Sequence, residues 1–313
     1  MKYVVTGGAG FIGSALTRLL VAQPGAQVLV IDNLNSGKRS NLDGVPGDWT
    51  LAEADIRTYD AIAPLLKGTD ACFHLAAIPS VPRSIKEPIP SHEVNIDGTF
   101  NVFRACAEAK VRRVVYAASS SAYGDTDVLP KVETMSPRPK SPYAAQKLMG
   151  EYYANVFQDC FGLEAISLRF FNVFGPRQDP SSPYSGVLSI FLRCLIERRS
   201  PTIYGDGGQT RDFTFVEDVA RLCWKASQAP RSATGRVYNA GNGNRYSLNQ
   251  TWEMIQRIEG VEIPAHYGPP REGDVRDSQA DTRLAAEHLG HAPEVSFEEG
   301  LRRTLEWYRS NLD

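Results

Sequence analysis

Apolar and polar positions alternate regularly over the first 175 residues. Short apolar runs rich in β-branched and aromatic residues predict strands, and stretches with apolar residues at helical spacing predict helices. The predicted strands occupy 3–5, 27–32, 49–56, 71–78, 112–120 and 164–175. The first predicted helix has apolar residues at 12, 15, 16, 19 and 20. The other predicted helices occupy 60–68, 95–109, 141–157 and 187–199. The proline-rich stretch 79–90 is predicted to be a loop.

Strands that alternate with helices predict an α/β fold with a Rossmann-like, doubly wound parallel sheet, because each parallel strand needs a crossover connection to the next. The alternation loosens beyond Gly175, where loops rich in Pro and Ser interrupt it. We therefore predict a sheet domain at 1–172 and a smaller C-terminal α/β domain at 173–313, with part of 203–228 returning to the first. The smaller domain is expected to lie over the carboxyl ends of the strands, where such folds bind ligands.

The composition of the 313-residue chain is that of an ordinary globular protein, with 42% hydrophobic and 22% charged residues. The net charge of -2 offers no overall attraction to nucleic acid or to an anionic membrane, so neither is predicted as a partner. The five cysteines are scattered without a CxxC pair, which favours buried free thiols in a reducing compartment. No apolar run approaches the roughly 18 residues of a membrane span, and no Cys/His cluster predicts a metal site. We predict a cytoplasmic protein.

A glycine-rich turn separates the first predicted strand from the first predicted helix. In TGGAGFIG, Gly7 allows a tight turn, Gly10 lets the backbone approach a pyrophosphate, and Gly13 lets the helix lie close to the sheet. The next strand ends in Asp32, whose carboxylate can accept hydrogen bonds from both ribose hydroxyls of an adenosine. Because a 2′-phosphate would be repelled there, this order of elements predicts NAD rather than NADP.

The segment SPYAAQK places Tyr143 and Lys147 four residues apart at the start of a predicted helix. Ser141 can cap this helix and Pro142 suits its first position, so the two side chains share one face. About 0.4 such pairs are expected by chance in a chain of this composition, so the pair by itself is weak evidence.

Several segments together carry a resemblance to a known family. TGGAGFIG, SSSAYG at 119–124 and YAAQK at 143–147 resemble the extended short-chain dehydrogenase/reductase family. LRFFNVFGPRQDP, GDGGQTRDFTFVEDV and REGDVRDSQAD are similar to segments of nucleotide-sugar 4-epimerases, above all those that act on UDP-N-acetylglucosamine. The resemblance covers nearly the whole chain. It implies an NAD-binding domain at 1–172 and a UDP-sugar-binding domain at 173–313.

The resemblance implies a catalytic trio. Tyr143 would be the acid/base, Lys147 would hold the nicotinamide ribose and lower the pKa of Tyr143, and Ser119 would hydrogen-bond the reacting hydroxyl. Bringing a phenol from a pKa of about 10 to about 7 requires roughly 4 kcal/mol, and one cation about 4 Å away at an effective dielectric near 20 supplies about that much. Burial acts in the opposite direction.

The resemblance also implies ligand-binding residues in both domains. Those expected to bind NAD are Gly7, Gly10, Phe11, Ile12, Gly13, Asp32, Asn33, Asn35, Ser36, Gly37, Asp55, Ile56, Leu75, Ala76, Ala77, Asn95, Tyr143, Lys147 and Phe171. Those expected to bind the UDP-sugar are Ser80, Ser119, Ser120, Asn172, Val187, Thr202, Tyr204, Arg211, Arg271, Asp274 and Ser278. Arginine forks suit a diphosphate, and we therefore expect Arg211 and Arg271 to hold the phosphates.

Two features bear on the reaction and the sugar. Ser120 and Ser121 stand where nucleotide-sugar dehydratases carry an Asp-Glu pair, so elimination of water lacks its general acid. Ser278 stands where epimerases restricted to UDP-glucose tend to carry a tyrosine, and a small residue leaves volume for an N-acetyl group at C2. We therefore predict a UDP-N-acetylglucosamine/UDP-N-acetylgalactosamine 4-epimerase, with UDP-glucose and UDP-galactose as further candidate substrates.

Two alternatives stay open. A UDP-glucuronate or UDP-glucose 4-epimerase is the first, since Arg177 could offer a cation to a C5 carboxylate, although Asn172 in FFNVF resembles the hexosamine and glucose enzymes more. A non-catalytic NAD-sensing protein on the same fold is the second, although such proteins commonly lose the tyrosine or the lysine. Helices near 95–109 and 143–159 resemble those of the family's dimer interface, which implies a homodimer.

Overall fold

The computed structural model describes residues 1–180, 186–270 and 275–311. The strands are β1 (Lys2–Thr6), β2 (Gln27–Asp32), β3 (Trp49–Glu53), β4 (Ala71–His74), β5 (Arg113–Ser119), β6 (Glu164–Phe170), β7 (Asn172–Phe174), β8 (Thr202–Tyr204), β9 (Thr210–Arg211), β10 (Phe213–Phe215), β11 (Arg236–Ala240), β12 (Tyr246–Ser247) and β13 (His266–Gly268). The helices are α1 (Phe11–Val21), α2 (Tyr59–Ile62), α3 (Val81–Lys86), α4 (Pro88–His92), α5 (Thr99–Glu108), α6 (Pro142–Phe161), α7 (Val187–Ile196), α8 (Val216–Gln228), α9 (Leu248–Glu259), α10 (Arg283–Leu289) and α11 (Phe297–Asn311). A π-helical turn at Glu93–Gly98 runs directly into α5.

The central sheet has seven strands in the order β3-β2-β1-β4-β5-β6-β11, and every neighbouring pair is parallel. The chain first runs outwards from β1 to β3, then returns and runs outwards on the other side from β4. The predicted Rossmann-like, doubly wound α/β class is therefore confirmed. The strand order reverses between β1 and β4, and folds of this class bind ligands at the carboxyl ends of such a pair.

Helices cover both faces of this sheet. On one face α1 packs against α8, and Leu16, Leu20 and Leu222 are completely buried between these helices and the strands. On the other face lie α5 and α6, with the rings of Phe103 and Phe157 stacked 5.5 Å apart. Truncating a buried Leu or Phe to Ala typically costs about 2–5 kcal/mol, so these two layers hold the strand ends firmly in place.

Beyond β6 the chain builds three separate pairs of strands, β7 with β10, β9 with β12, and β8 with β13. Their core is aromatic: the rings of Phe213 and Phe297 stack 5.1 Å apart, and α7, α9 and α11 enclose them. The chain also crosses back to the central sheet, since α8 packs against α1 and β11 adds the seventh strand beside β6. The division of the chain at 172 and 173 stays a prediction.

The predicted loop at 79–90 is wrong, because this stretch forms α3 and α4. The hydroxyl of Ser80 caps α3 by accepting the N–H of Arg83 at 3.1 Å. Pro82 and Pro88 lie in the first turns of the two helices, where the missing proline N–H has no intrahelical partner to lose. Prolines that read as breakers therefore start short helices here.

The predicted single strand at 164–175 is also wrong, because it divides at Phe171. The Phe171 N–H still bonds the carbonyl of Ala240 in the central sheet, whereas the Asn172 N–H bonds the carbonyl of Asp212 and starts β7.

Four of the five cysteines are buried as predicted, but Cys160 near the end of α6 is exposed. In the described part of the chain, no helix has the length and apolarity needed to cross a membrane.

Candidate active site

The residues predicted to bind the cofactor gather along one edge of the central sheet. They end or follow strands at Gly7, Asp32, Asp55, Leu75 and Phe171, and the predicted catalytic residue Ser119 ends β5 at the same edge. Because the strands are parallel, these positions all lie at the carboxyl edge. At the point where the strand order reverses, the Leu75 N–H bonds the carbonyl of Thr6 at 3.1 Å. The loop with Leu75, Ala76 and Ala77 therefore lies directly beside the glycine-rich turn.

The glycine-rich turn has a shape that only glycine permits. Gly7 has a φ of 72°, and a Cβ added there would lie 2.7 Å from the nitrogen of Ala76. A Cβ on Gly13 would lie 2.1 Å from the carbonyl oxygen of Gly7. Gly10 differs, because a Cβ there would meet only the Gly7 oxygen, at 3.1 Å, and no described side chain caps the start of α1. The amides that open α1 at Phe11 and Ile12 thus form a site suited to a diphosphate.

The Asp32 carboxylate is buried beside this turn. It accepts the N–H of Ala9 at 3.0 Å and the N–H of Leu34 at 2.9 Å. Burial raises the pKa of Asp32, and these two hydrogen bonds act against that rise. A Cβ on Gly37 would lie 2.8 Å from both carboxylate oxygens, so the loop 33–37 lies against the acid. The predicted ribose-binding group is therefore held between the glycine-rich turn and the loop that carries Asn33, Asn35 and Ser36.

Asp55 and Ile56 follow β3 on the other side of this loop. The Asp55 carboxylate accepts hydrogen bonds from the Arg57 guanidinium and from Asn33 Nδ2, the latter at 2.9 Å. The bond from Arg57 lowers the pKa of Asp55 to about 2. Ile56 is buried, and a Cβ on Gly98 would lie 2.7 Å from its side chain. Asp55 is therefore ionised and linked to the loop 33–37.

The three residues predicted to be catalytic meet where β5 lies beside α6. Ser141 caps α6, which places Tyr143 and Lys147 in its first two turns. The Tyr143 phenol lies near the hydroxyl of Ser119 at the end of β5, close enough for this serine to lower the Tyr143 pKa. Lys147 is 3% exposed, and its Nζ donates to the carbonyl of Ala117 on the same strand at 2.9 Å. One strand therefore positions both members of the helical pair.

The turn after β5 orients the serine. The Ser119 oxygen accepts the N–H of Ser121 at 3.2 Å and the hydroxyl of Ser121 at 2.8 Å. The remaining O–H of Ser119 can then donate to Tyr143, which agrees with the lowering of the Tyr143 pKa by this bond. Ser120 is half-buried at the start of the same turn.

The electrostatic state of the pair differs from the expected one. Burial raises the pKa of Tyr143 to about 12, although the bond from Ser119 acts against this rise. Burial also lowers the pKa of Lys147 to about 7. Both shifts favour the neutral forms, because the surrounding protein replaces the water that would stabilise charge. In the chain by itself desolvation therefore outweighs the expected lowering of the Tyr143 pKa by Lys147.

Two residues outside the predicted site, Ser84 and His74, support this pair, and the sequence reasoning missed the first of them. The buried Ser84 on α3 accepts the backbone N–H of Tyr143 at 3.1 Å. His74 lies at the end of β4, and both its ring nitrogens bond threonine hydroxyls, at 2.8 and 3.0 Å. Burial and the nearby Lys147 lower the pKa of His74 to about 3. No local motif marks either residue, since only the packing of α3 and β4 against α6 brings them here.

Two predicted ligand residues use their side chains inside the protein. The Asn95 amide donates to the carbonyl of Ile78 at 3.2 Å and to Gln146 Oε1 at 2.8 Å, and its oxygen accepts the Ile78 N–H at 2.8 Å. Ser80 caps α3. Both residues shape the loop that follows β4, and their direct contacts with a ligand stay predictions.

Three residues predicted to bind the UDP-sugar meet around the segment 210–212. The Ser278 N–H donates to the carbonyl of Thr210 at 3.1 Å, and the Asn172 N–H donates to the carbonyl of Asp212 at 3.1 Å. Arg211 lies between the two acceptors. The tertiary structure therefore joins Asn172, Arg211 and Ser278, which are up to 106 positions apart in the sequence.

The other predicted residues of the C-terminal UDP-sugar site lie on β8, on α7 or outside the described residues. Thr202 and Tyr204 lie on the exposed face of β8, since the residue between them is buried in the aromatic core. Val187 begins α7 and is half-buried. Arg271 and Asp274 lie outside the described residues.

The fold and this site define a dinucleotide-binding α/β protein with a buried serine, a half-buried tyrosine and a buried lysine at the sheet edge. The pattern of the NAD dependent epimerase/dehydratase family matches residues 3–241. A UDP-N-acetylglucosamine 4-epimerase from Methanobrevibacter ruminantium, solved with UDP-N-acetylmuramic acid, has a TM-score of 0.95 and 37% identity and covers 99% of both chains. A UDP-glucose 4-epimerase from Thermotoga maritima, solved with UDP-glucose, has a TM-score of 0.94 and 36% identity and covers 100% of both chains. A UDP-glucose 4-epimerase from Mycolicibacterium smegmatis is 37% identical over 314 residues, or 99% of both chains.

The chain belongs to the NAD dependent epimerase/dehydratase family, as the resemblance of its motifs predicted. The residues present fit NAD: the backbone of Gly10 is open at the start of α1, and the Asp32 carboxylate lies next to it. An ionised carboxylate favours two ribose hydroxyls over a 2′-phosphate. NAD is thus the cofactor, as predicted.

Proposed function

We propose that this chain is an NAD-dependent UDP-sugar 4-epimerase, an isomerase, and that it interconverts UDP-N-acetylglucosamine and UDP-N-acetylgalactosamine. The observation that carries the proposal is the position of the Tyr143 phenol near Ser119, one helical turn from the buried Lys147, whose Nζ donates to the carbonyl of Ala117 two residues before Ser119. A phenol beside a hydroxyl-binding serine suits removal of a proton from an alcohol. Because serines occupy positions 120 and 121, the turn offers no carboxyl group for eliminating water.

When bound, NAD would accept a hydride from C4 of the sugar and later return it. Tyr143 takes the proton of the C4 hydroxyl and later gives it back, and the reaction has no net redox change because the hydride also returns to the sugar. Ser119 holds that hydroxyl, and Lys147 holds the nicotinamide ribose. The 4-keto sugar must present its opposite face before hydride returns, so the protein has to grip UDP firmly and the hexose loosely.

Tyr143 requires added positive charge before it can act as a base, since its pKa is about 12 in the chain by itself. One positive charge about 4 Å away at an effective dielectric near 20 is worth about 4 kcal/mol, or about 3 pKa units. Such a charge would lower the Tyr143 pKa, and a second would lower it further. The interaction is mutual, because a phenolate at position 143 would raise the pKa of Lys147 by the same energy.

The choice of sugar rests on Ser278. This residue is half-buried beside Thr210, in the segment that also contacts Arg211. Its small side chain leaves volume for an N-acetyl group, which a tyrosine would fill. Similarity to solved structures does not identify the sugar substrate, since a UDP-N-acetylglucosamine enzyme and a UDP-glucose enzyme resemble the chain almost equally. A pocket with room for the larger sugar loses only a few kcal/mol of contact with the smaller one, so we expect turnover of UDP-glucose too.

A UDP-glucuronate or UDP-glucose 4-epimerase is the second candidate. Arg177 could pair with a C5 carboxylate, but its guanidinium lies 5.9 Å from the ring of Trp307 and near Glu217. These contacts direct Arg177 towards α8 and α11 and away from α6. They favour a hexosamine or a hexose over glucuronate. A non-catalytic NAD-binding role is the third candidate, and the presence of both Tyr143 and Lys147 argues against it.

We also propose a homodimer built on α5 and α6. Four large apolar side chains on these helices, Phe100, Met149, Tyr152 and Val156, are 39–51% exposed. Those on α6 are spaced three and four residues apart and lie on one face. A second copy of this face would bury them. Size-exclusion chromatography with light scattering should give a dimer, and Tyr152→Glu should give a monomer; a monomeric wild-type chain would contradict this proposal.

A panel of UDP-N-acetylglucosamine, UDP-N-acetylgalactosamine, UDP-glucose and UDP-glucuronate tests the function directly. Each is incubated with the purified protein without added cofactor and separated by chromatography. We expect interconversion of the two N-acetyl sugars to be fastest. A 4,6-dehydrated keto sugar or stoichiometric release of NADH would rule out an epimerase, and faster turnover of UDP-glucuronate would favour the second candidate.

A further inference from the structure

The carboxylate of Asp212 is completely buried and collects hydrogen bonds from separate parts of the chain. Its Oδ1 accepts the N–H of Asn242 at 2.7 Å, and its Oδ2 accepts the N–H groups of Gly243 and Ala280, both at 2.9 Å. The hydroxyl of Thr214 lies 3.4 Å from Oδ1. Three backbone amides from two loops therefore end on one side chain.

The backbone pairing of the neighbouring segments explains why the Ala280 N–H needs a side chain as its acceptor. The segment 276–280 runs parallel to 210–212: Thr210 N–H bonds the carbonyl of Arg276, and the Thr210 carbonyl accepts the N–H of Ser278. The next acceptor in this ladder would be the carbonyl of Asp212, but that carbonyl accepts the N–H of Asn172. The Ala280 N–H is therefore left to the Asp212 carboxylate.

This arrangement joins the predicted substrate residues through one residue, Asp212. Asn172 bonds the Asp212 backbone, Arg211 precedes Asp212 in the chain, and Ser278 lies two residues before Ala280. The loop with Asn242 and Gly243 is bound to the Asp212 carboxylate as well. Burial raises the pKa of Asp212 to about 6, and the backbone hydrogen bonds act against that rise.

We propose that Asp212 is a positioning residue of the UDP-sugar site, which holds Arg211, Asn172 and Ser278 in register through its buried carboxylate. This inference rests on the proposed function, because it assigns the three residues to UDP binding. Asp212 itself touches neither the sugar nor the cofactor in this scheme. Its loss should weaken the binding of UDP while the NAD site on the other side of the sheet edge keeps its affinity.

Asp218 provides a matched control on α8. It is also completely buried and also accepts two backbone amides, from Glu294 at 2.9 Å and Val295 at 3.2 Å, together with a bond from Arg221. None of these partners is a predicted ligand residue. An aspartate-to-asparagine change removes an acceptor oxygen at either position, so both variants should lose stability.

The experiment compares Asp212→Asn and Asp218→Asn with the wild-type holoenzyme. UDP is the calorimetric probe, NAD content is measured in parallel, and thermal unfolding reports stability. We expect the Kd of UDP to rise about tenfold or more in Asp212→Asn and to stay within about twofold in Asp218→Asn, because an asparagine leaves one or two buried amides without an acceptor. Equal UDP affinity in Asp212→Asn and wild type would overturn the inference.

The outcomes separate this inference from the proposed function. A wild-type chain that binds no UDP would overturn both, whereas a wild-type epimerase whose Asp212→Asn variant binds UDP normally would overturn only the positioning role. If Asp212→Asn does not fold, Gly241→Ala replaces it, since its added Cβ would lie 2.3 Å from the Ala280 Cβ. We expect Gly241→Ala to weaken UDP binding and Ala280→Gly in the same chain to restore it; failure of this rescue would also overturn the inference.

Discussion

The cofactor side and the substrate side of the site are built in different ways. On the cofactor side, Gly7, Gly10, Gly13 and Asp32 lie within one strand–helix–strand unit, and the tight contacts at Gly10 and Gly13 are with the backbone of the same unit. On the substrate side, Asn172, Arg211 and Ser278 come from three distant segments that meet through backbone bonds around one buried carboxylate. The first is a local site, and the second exists only when the whole chain has folded.

The difference predicts how each side fails. A local site fails when one backbone position can no longer adopt its conformation, and the damage stays within that unit. An assembled site fails when any of several supports is lost, including supports that touch no ligand. Tyr143 lies between the two sides, so its removal should stop the chemistry and spare both binding reactions.

The largest effect is expected for Tyr143→Phe. Removing the hydroxyl removes the proposed base, and general acid–base catalysis is typically worth 10²–10⁴-fold, so epimerisation should fall about 1000-fold. Chromatographic rate measurements check this, and calorimetry should find UDP affinity and NAD content unchanged. Tyr152→Phe is the control, since Tyr152 lies on the same helix and is 51% exposed. More than about a tenth of the activity in Tyr143→Phe would remove Tyr143 from the mechanism.

Gly13→Ala should break the cofactor side alone. The new Cβ would lie 2.1 Å from the Gly7 carbonyl oxygen, so the turn must shift. We expect NAD affinity to fall about 100-fold, corresponding to roughly 2.7 kcal/mol, while UDP binding changes little. Gly25→Ala is the control for lost stability, because its φ of 65° strains an alanine although the new Cβ would meet nothing within 4 Å. A Gly13→Ala protein that retains full NAD content would show that the turn tolerates a side chain.

Arg211→Ala should break the substrate side alone. A hydrogen bond with a charged group contributes about 1.5–3 kcal/mol, so UDP affinity should fall roughly 10- to 100-fold. Calorimetry with UDP measures this, and NAD content should stay at the wild-type level. Arg276→Ala is the control, since the Arg276 side chain is 67% exposed and pairs with Asp206. An equal loss of UDP affinity in both variants would point to general charge attraction instead of a specific contact.

Ser278→Tyr should sharpen the choice of sugar within the substrate side. A bulky ring in place of the small serine should lower kcat/KM for UDP-N-acetylglucosamine about tenfold or more and leave UDP-glucose within about threefold. Ser278→Ala keeps the volume and should behave like wild type. If Ser278→Tyr lowers both activities equally, residue 278 does not line the C2 side of the sugar.

The smallest effect concerns stability. Folding lowers the pKa of Lys147 from 10.5 to about 7, so ionised lysine destabilises the folded chain. This cost is fully present below pH 7 and disappears as pH rises towards 10.5. Lys147→Met should therefore raise the Tm of the cofactor-free protein by about 2–6 °C near pH 6.5 and by less near pH 10. Lys67→Met on the surface is the control, and a lowered Tm for Lys147→Met would contradict this account.

Local motifs predicted the class of fold and the cofactor. The alternation of strands and helices indicated the doubly wound sheet, and the spacing of Gly7, Gly10, Gly13 and Asp32 indicated a dinucleotide site. Two elements were misread because the same residues allow another local structure. Pro82 and Pro88 lie in the first turns of helices where a loop was expected. Phe171 separates two strands in an apolar run that continues to Phe174.

By itself the sequence determined the class of fold and the cofactor, because those depend on periodicity and on short-range backbone sterics, and the resemblance of its motifs indicated the family. The tertiary structure decided the charge state of Tyr143 and Lys147 and the role of Asp212. Desolvation depends on every group that surrounds a side chain, so the shifted pKa values of the pair follow from packing that no local pattern encodes. The Asp212 carboxylate likewise gained its partners only when three distant segments came together.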